Sequence, residues 1–352
     1  MTIYIVAIII MIATKLCLYK DTTKNKKIFC CISGMLLFLI MAFRDPTLGN
    51  SDTVGLYIPR FLKIINLDFS GTIRLIQFYQ DSDLIFYLVT KVITFITKDV
   101  SVYFAICSIP LIFFTSRFIF KYSKMPLISF LMFFALNYYP WSFIIIRHSI
   151  ALGIIIYSYD FIKEKKPVKF IITVLIAACF HLSALFFLIA YPARKIKVNN
   201  KKFIIAIIIL GITLVFKDTL LKIIFSRLTS GHYALYSGRE SEFSIGCYLV
   251  VYAIIYISYV LERKRKENEQ SKMYAITWIG VIITGLAFAL FECFRIGMFF
   301  TIPEIILLPN AIATIEDRKT KRLITFGLII VFSLYAINCF NKLNLIPYQF
   351  VK

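Results

Sequence analysis

Long apolar runs alternate with short charged clusters along this chain. Runs near 2 to 19, 28 to 43, 100 to 120, 126 to 140, 142 to 162, 203 to 216, 244 to 261, 272 to 291, 294 to 311 and 323 to 340 predict about ten membrane-spanning helices. The basis is length, because about 20 apolar residues in helix cross a hydrocarbon core of ~30 Å. The weak ten-residue alternation of a membrane barrel is not the pattern here. An all-α polytopic integral membrane protein is therefore expected, with 1 to 352 as a single transmembrane domain. Two stretches fit less simply. Leu84 to Thr97 is 14 residues long and contains Lys91, so it spans, re-enters or lies on the surface. Phe170 to Ala190 is long enough for one span but carries His181 at its middle.

Basic residues concentrate on the cytoplasmic side of short membrane loops, and this rule selects between maps. With the N-terminus outside, 84 to 97 not crossing and 168 to 192 folded as a hairpin of two half-length helices, the inside loops hold 25 of the 40 Lys and Arg. The outside segments hold 12. A single span over 168 to 192 would move Arg194, Lys195, Lys197, Lys201 and Lys202 to the wrong side. The preferred map leaves two extended outer segments, 44 to 83 and 217 to 243, so function is expected to face outward.

Composition agrees with the pattern. At 60% hydrophobic, 16% aromatic and a mean hydropathy of +0.81, the chain is not a soluble enzyme, a secreted disulfide domain or a disordered tail. The net charge of +21 marks topology and not a nucleic-acid partner. The eight cysteines form no C-x-x-C pair and read as small apolar fillers. Thr2 to Leu18 lacks a basic leader and cleavage site, and reads as a retained first helix. With no Walker-type glycine loop and no internal repeat, ATP-driven transport has no engine in this sequence.

A charge on a spanning helix is costly and marks a candidate site. Arg147, in Tyr138 to Ser149, is placed about six residues into its helix, or roughly 9 Å deep. It either snorkels to the headgroups or lines a polar cavity, and its neighbours His148, Ser149, Tyr138 and Trp141 favour the cavity. Arg295 follows Glu292 at i+3, where the two can pair. Both arginines fall at the outer membrane level, and a guanidinium fork suits a lipid-linked phosphate or pyrophosphate. His181 falls at the tip of the predicted hairpin, where non-helical backbone must line a cavity or be buried in protein. With an unperturbed pKa near 6.5, an imidazole there can act as base or orient a hydroxyl.

The segment Phe43 to Tyr57, with Asp45-Pro46 and two glycines, reads as a shaped loop and not a helix. The second outer segment carries His232, Tyr233, Tyr236, Arg239, Glu240 and Glu242, suited to sugar rings or to an ordinary interfacial belt. Asp81-Ser82-Asp83 can hold a divalent cation or cap the next helix, and the cap is the better fit.

Phe43-Arg44 through Gly49, Asp52 and Tyr57, then Arg147-His148-Ser149-Ile150-Ala151, then Ala178 to Ala184, then Arg295 with Phe299-Phe300 and Leu308-Pro309 form an ordered set. From about 40 to 310 it resembles the EpsG-like branch of the Wzy-type polysaccharide polymerases. The resemblance implies a GT-C-like helical bundle in the bacterial cytoplasmic membrane. It implies an outward-facing glycosyltransferase that joins undecaprenyl-pyrophosphate-linked repeat units of a capsule or exopolysaccharide. Donor and acceptor are both lipid-linked glycans, no cofactor or metal is implied, and a chain-length regulator and flippase of the same pathway are the expected partners. Arg147 and Arg295 would bind the pyrophosphate, and His181 would position or deprotonate the acceptor hydroxyl. Arg44, Asp52 and Tyr57 carry over as donor or acceptor contacts, with His148, Tyr233, Tyr236, Arg239, Glu240 and Glu292 as further substrate contacts. His148 departs from the glutamine usual after the arginine in that family. A glycan ligase using the same donor is the runner-up, and a transporter or lipid flippase is the alternative of another class.

Overall fold

The computed structural model describes residues 1 to 49, 52 to 79, 83 to 227, 244 to 263 and 270 to 351. The protein is 79% helical, and among the described residues there is no strand beyond an isolated antiparallel bridge between Arg44 and Phe350. The helices run α1 (Thr2–Cys17), α2 (Thr23–Ala42), α3 (Ile58–Ile65), α4 (Phe69–Phe78), α5 (Leu84–Ile93), α6 (Val100–Tyr122), α7 (Pro126–Ala135), α8 (Tyr138–Trp141) and α9 (Ile146–Lys163). They continue as α10 (Pro167–Ala178), α11 (Ala190–Ala193), α12 (Asn200–Arg227), α13 (Ile245–Glu262), α14 (Ser271–Gly285), α15 (Glu292–Thr301), α16 (Glu304–Ala313) and α17 (Arg318–Lys342). Seven helical stretches among the described residues are long and apolar enough to cross a bilayer, joined by shorter apolar helices such as α1, α5, α7 and α10. The polytopic class read from the hydropathy is the class observed.

Two compact units divide the chain. One comprises Met1–Leu185 with Ile312–Lys352, the other Phe186–Ala311. In the first, α2, α6 and α9 pack side by side and their directions follow from their contacts. Lys26 lies over Phe120 at the start of α2, whereas Arg44, just beyond its end, lies over Phe104, so α2 and α6 are antiparallel. Arg117 and Lys121 near the end of α6 both pair with Asp160 near the end of α9, at 2.6 and 2.9 Å, so α6 and α9 are parallel. The chain must return between two parallel helices, and α7 with α8 makes that return. The basic loops 117 to 124 and 163 to 169 consequently share one end of the unit, the relation the basic-residue map requires. Arg44 and Arg147 lie at the opposite end.

The close approach of α6 and α9 depends on Gly153. A Cβ there would stand 2.7 Å from the Pro110 carbonyl carbon and oxygen, which are backbone and cannot move aside. Small residues at helix contacts in membranes serve such approaches. Gly153→Ala is expected to destabilise the chain by about 1 to 3 kcal/mol through overpacking. A thermal-unfolding midpoint in detergent equal to that of the wild type would refute the tight contact.

Several boundaries differ from the hydropathy reading, each for a local reason. The expected helix 142 to 162 begins at Ile146, and 126 to 140 stops at Ala135. Asn137 takes a left-handed φ of 27°, a conformation asparagine tolerates, and this cuts the helix. The run 294 to 311 is two helices, because Pro303 lacks the amide a continuous helix needs. Helix 203 to 216 reaches its kink at Phe216 and then continues to Arg227, so 217 to 227 is helical and not loop. The segment 43 to 57 is not all loop either, since Thr53–Tyr57 winds as a π-helical turn straight into α3. At ten residues α5 is about 15 Å long, half a bilayer core.

The expected break within 168 to 192 is present. α10 ends at Ala178, the chain turns through 179 to 181, and 182 to 189 continues as 3-10 helix instead of α-helix. His181 lies in that turn, its carbonyl accepting from the Ala184 amide at 2.9 Å.

Candidate functional site

The site begins with how Arg147 is presented. α8 and the turn 142 to 145 are held by the Ser142 hydroxyl donating to the Tyr139 carbonyl, and by Arg44 Nη1 donating to the Phe143 carbonyl at 2.7 Å. Arg44 is 2% exposed, with its guanidinium 4.7 Å from the centre of the Phe143 ring and 5.3 Å from that of Phe104. The motif implied a substrate contact for Arg44. In this structure it is buried and braces the turn from which α9 starts.

Arg147 is the second residue of α9. A cation in the first turn opposes the helix dipole, whose positive end is there. Such a departure from local preference needs a compensating partner, and Arg147 Nη1 has one in Asp83 Oδ2 at 2.9 Å. His181 Nδ1 lies 3.9 Å from the same oxygen. The His148 and His181 rings meet edge to face with centres 5.4 Å apart. Arg147 also lies near the faces of Tyr57 at 5.8 Å and Tyr87 at 5.9 Å, and Arg60 bonds the Tyr87 hydroxyl.

Exposure sorts these groups. The side chains of Arg147 and His181 are 18% and 21% exposed, that of Asp83 is 6%, and His148 is buried. The cation and one imidazole are therefore partly exposed, and the carboxylate and second imidazole are buried. Tyr57 is buried, which pushes its phenol above the usual range while the nearby Arg147 charge pulls the other way. Asp52, at the start of the π-helical turn, is close enough for its charge to act on Tyr57.

Of the residues singled out in the sequence, Arg147, His148, His181 and Tyr57 come together. Glu292 opens α15 and Arg295 follows one turn later, both in the second unit. Tyr233, Tyr236, Arg239 and Glu240 lie outside the described residues, as do His232, Glu242, Asp81 and Ser82.

Asp83 is the site residue the sequence reading assigned differently. It does stand at the N-cap position of α5, but its side chain makes no cap bond. Asp68, Asp99 and Asp317 occupy the same position on α4, α6 and α17, and each accepts from backbone amides of its helix. The available signal was the arginine, since a membrane-level guanidinium calls for an acid. No group of three His, Cys, Asp or Glu side chains suited to a metal occurs among the described residues.

A polytopic helical membrane protein with a guanidinium, a carboxylate and an imidazole gathered at one helix start is equipped to hold an anion beside a proton acceptor. The chain belongs to the EpsG family, whose match covers residues 27–350, and EpsG-like proteins are Wzy-type polysaccharide polymerases. No curated protein and no solved structure matches it.

Proposed function

We propose that this EpsG-family polymerase joins lipid-pyrophosphate-linked oligosaccharide repeat units at the outer face of the bacterial cytoplasmic membrane. The observation that carries the reading is Arg147, partly exposed at the start of α9 and 2.9 Å from Asp83. A helix start with an arginine on it favours phosphate oxygens through dipole and guanidinium fork together.

In the reaction, an acceptor hydroxyl oxygen bonds to the anomeric carbon of the donor sugar as that carbon's bond to the pyrophosphate oxygen breaks. The electron pair leaves on the lipid pyrophosphate, where Arg147 stabilises the developing charge. The hydroxyl proton passes to His181 or is held in line by it. Arg295 keeps the phosphate-binding role its motif implies, and Tyr57 and Asp52 support the Arg147 side. The outer orientation is supported by the basic loops gathered at the opposite end of the first unit.

Deleting the gene and sizing the surface polysaccharide tests the reading. The expected result is loss of long polymer with single repeat units left on lipid at the outer leaflet. Units trapped on the inner leaflet would indicate a flippase. Intact polymer that fails to reach its final acceptor would indicate a ligase.

A further inference from the structure

One oxygen faces both halves of this chemistry. Asp83 Oδ2 is 2.9 Å from Arg147 Nη1 and 3.9 Å from His181 Nδ1. The first distance is a charge-assisted hydrogen bond, and the second is about 1 Å too long to be one. Asp83 spends no side-chain bond on the start of α5, unlike the capping aspartates Asp68, Asp99 and Asp317. A small rotation of the carboxylate therefore disturbs no helix cap.

A pyrophosphate reaching the exposed side of Arg147 competes with Asp83 for the guanidinium, and it brings more charge and more acceptor oxygens. As Arg147 turns to that ligand, the buried carboxylate loses a cationic contact, which is costly unless another donor replaces it. The imidazole of His181 is already within reach.

We infer that Asp83 is a positioning residue that changes partner when the donor binds, passing from Arg147 to His181 Nδ1. An Nδ1–H donated to Asp83 fixes the tautomer and leaves Nε2 as the acceptor nitrogen. His181 is thereby set as a base once a phosphate occupies Arg147, which orders donor binding before use of the acceptor. This rests on Arg147 as the phosphate ligand.

The test uses the purified full chain in lipid nanodiscs, with inorganic pyrophosphate as probe and calorimetry as readout. Asp83→Asn removes the competing charge and keeps an oxygen acceptor. It is expected to bind pyrophosphate roughly tenfold tighter while kcat for polymer formation falls at least as much. A merely structural role would weaken binding and turnover together. Equal or weaker binding by a folded Asp83→Asn, with binding lost in Arg147→Ala, overturns the exchange and leaves the phosphate site standing. Undiminished binding by Arg147→Ala overturns the phosphate site and the exchange with it.

Should Asp83→Asn fail to accumulate, the wild-type chain still decides, because it has just three histidines. With 15N-labelled histidine, pyrophosphate is expected to shift the His181 Nδ1–H resonance downfield, as a carboxylate hydrogen bond does. An unmoved resonance at saturating pyrophosphate overturns the exchange.

Discussion

Arg147→Lys is expected to lower the rate of polymer formation roughly ten- to a hundredfold, although the positive charge is retained. An ammonium at this position can still reach Asp83, which Arg147 meets through a single nitrogen at 2.9 Å. The internal ion pair, and with it folding, should therefore survive. What lysine cannot supply is the planar fork that meets two phosphate oxygens at once. Losing one charge-assisted hydrogen bond is worth about 1.5 to 3 kcal/mol, which sets the expected range. The measurement is the initial rate on purified lipid-linked repeat units, with the thermal midpoint checked in parallel. A normally folded Arg147→Lys chain working at the wild-type rate would make the arginine a headgroup anchor and remove it from the chemistry.

The same residue shows what was legible before the structure and what was not. Hydropathy located the helices because the bilayer imposes one strong requirement, about 20 apolar residues per span. It placed Arg147 six residues into a helix, whereas Arg147 is the second residue of α9. The difference arises in the stretch 136 to 145, whose path is set by the backbone of Asn137 and by the brace from Arg44. The dip in hydropathy at Asn137 to Ser142 marks a break but does not show where the next helix starts. Arg44 itself illustrates a limit of motif transfer. The motif marks the position, and the contact seen there is with the Phe143 carbonyl, which a motif alone does not reveal.

Asp83 was misread for a related reason. An aspartate just before an apolar helix is ordinarily its cap, and three others in this chain are. Sequence position alone does not distinguish a carboxylate spent on its own helix from one spent on an arginine 64 positions along the chain. A break near 179 to 181, by contrast, was expected from the basic residues flanking it, and the helix is interrupted there. On the basic-residue map a single straight span there moves five of them to the other side.

His181→Ala is expected to cost about two to four orders of magnitude in turnover, the usual contribution of a positioned acid or base. The loss should fall mainly on kcat, with donor binding weakened as well, because without the imidazole no donor replaces Arg147 at Asp83 when the pyrophosphate takes the guanidinium. His181→Gln separates two roles for the imidazole. A side chain that orients the acceptor hydroxyl by hydrogen bonding is partly replaced by the glutamine amide, so that variant should retain measurable polymerisation. One that takes the proton is not replaced, and Gln and Ala should then be equally inactive. His148 is a useful contrast, since it is buried, with its ring 5.4 Å from that of the partly exposed His181. Substituting it should act through the placement of His181, giving a smaller loss than His181→Ala. The readouts are kcat and KM on lipid-linked repeat units for chains shown to insert and accumulate normally. A well-folded His181→Ala chain that makes full-length polymer at the wild-type rate would take the imidazole out of the reaction, and leave proton transfer to a group other than the one facing Asp83.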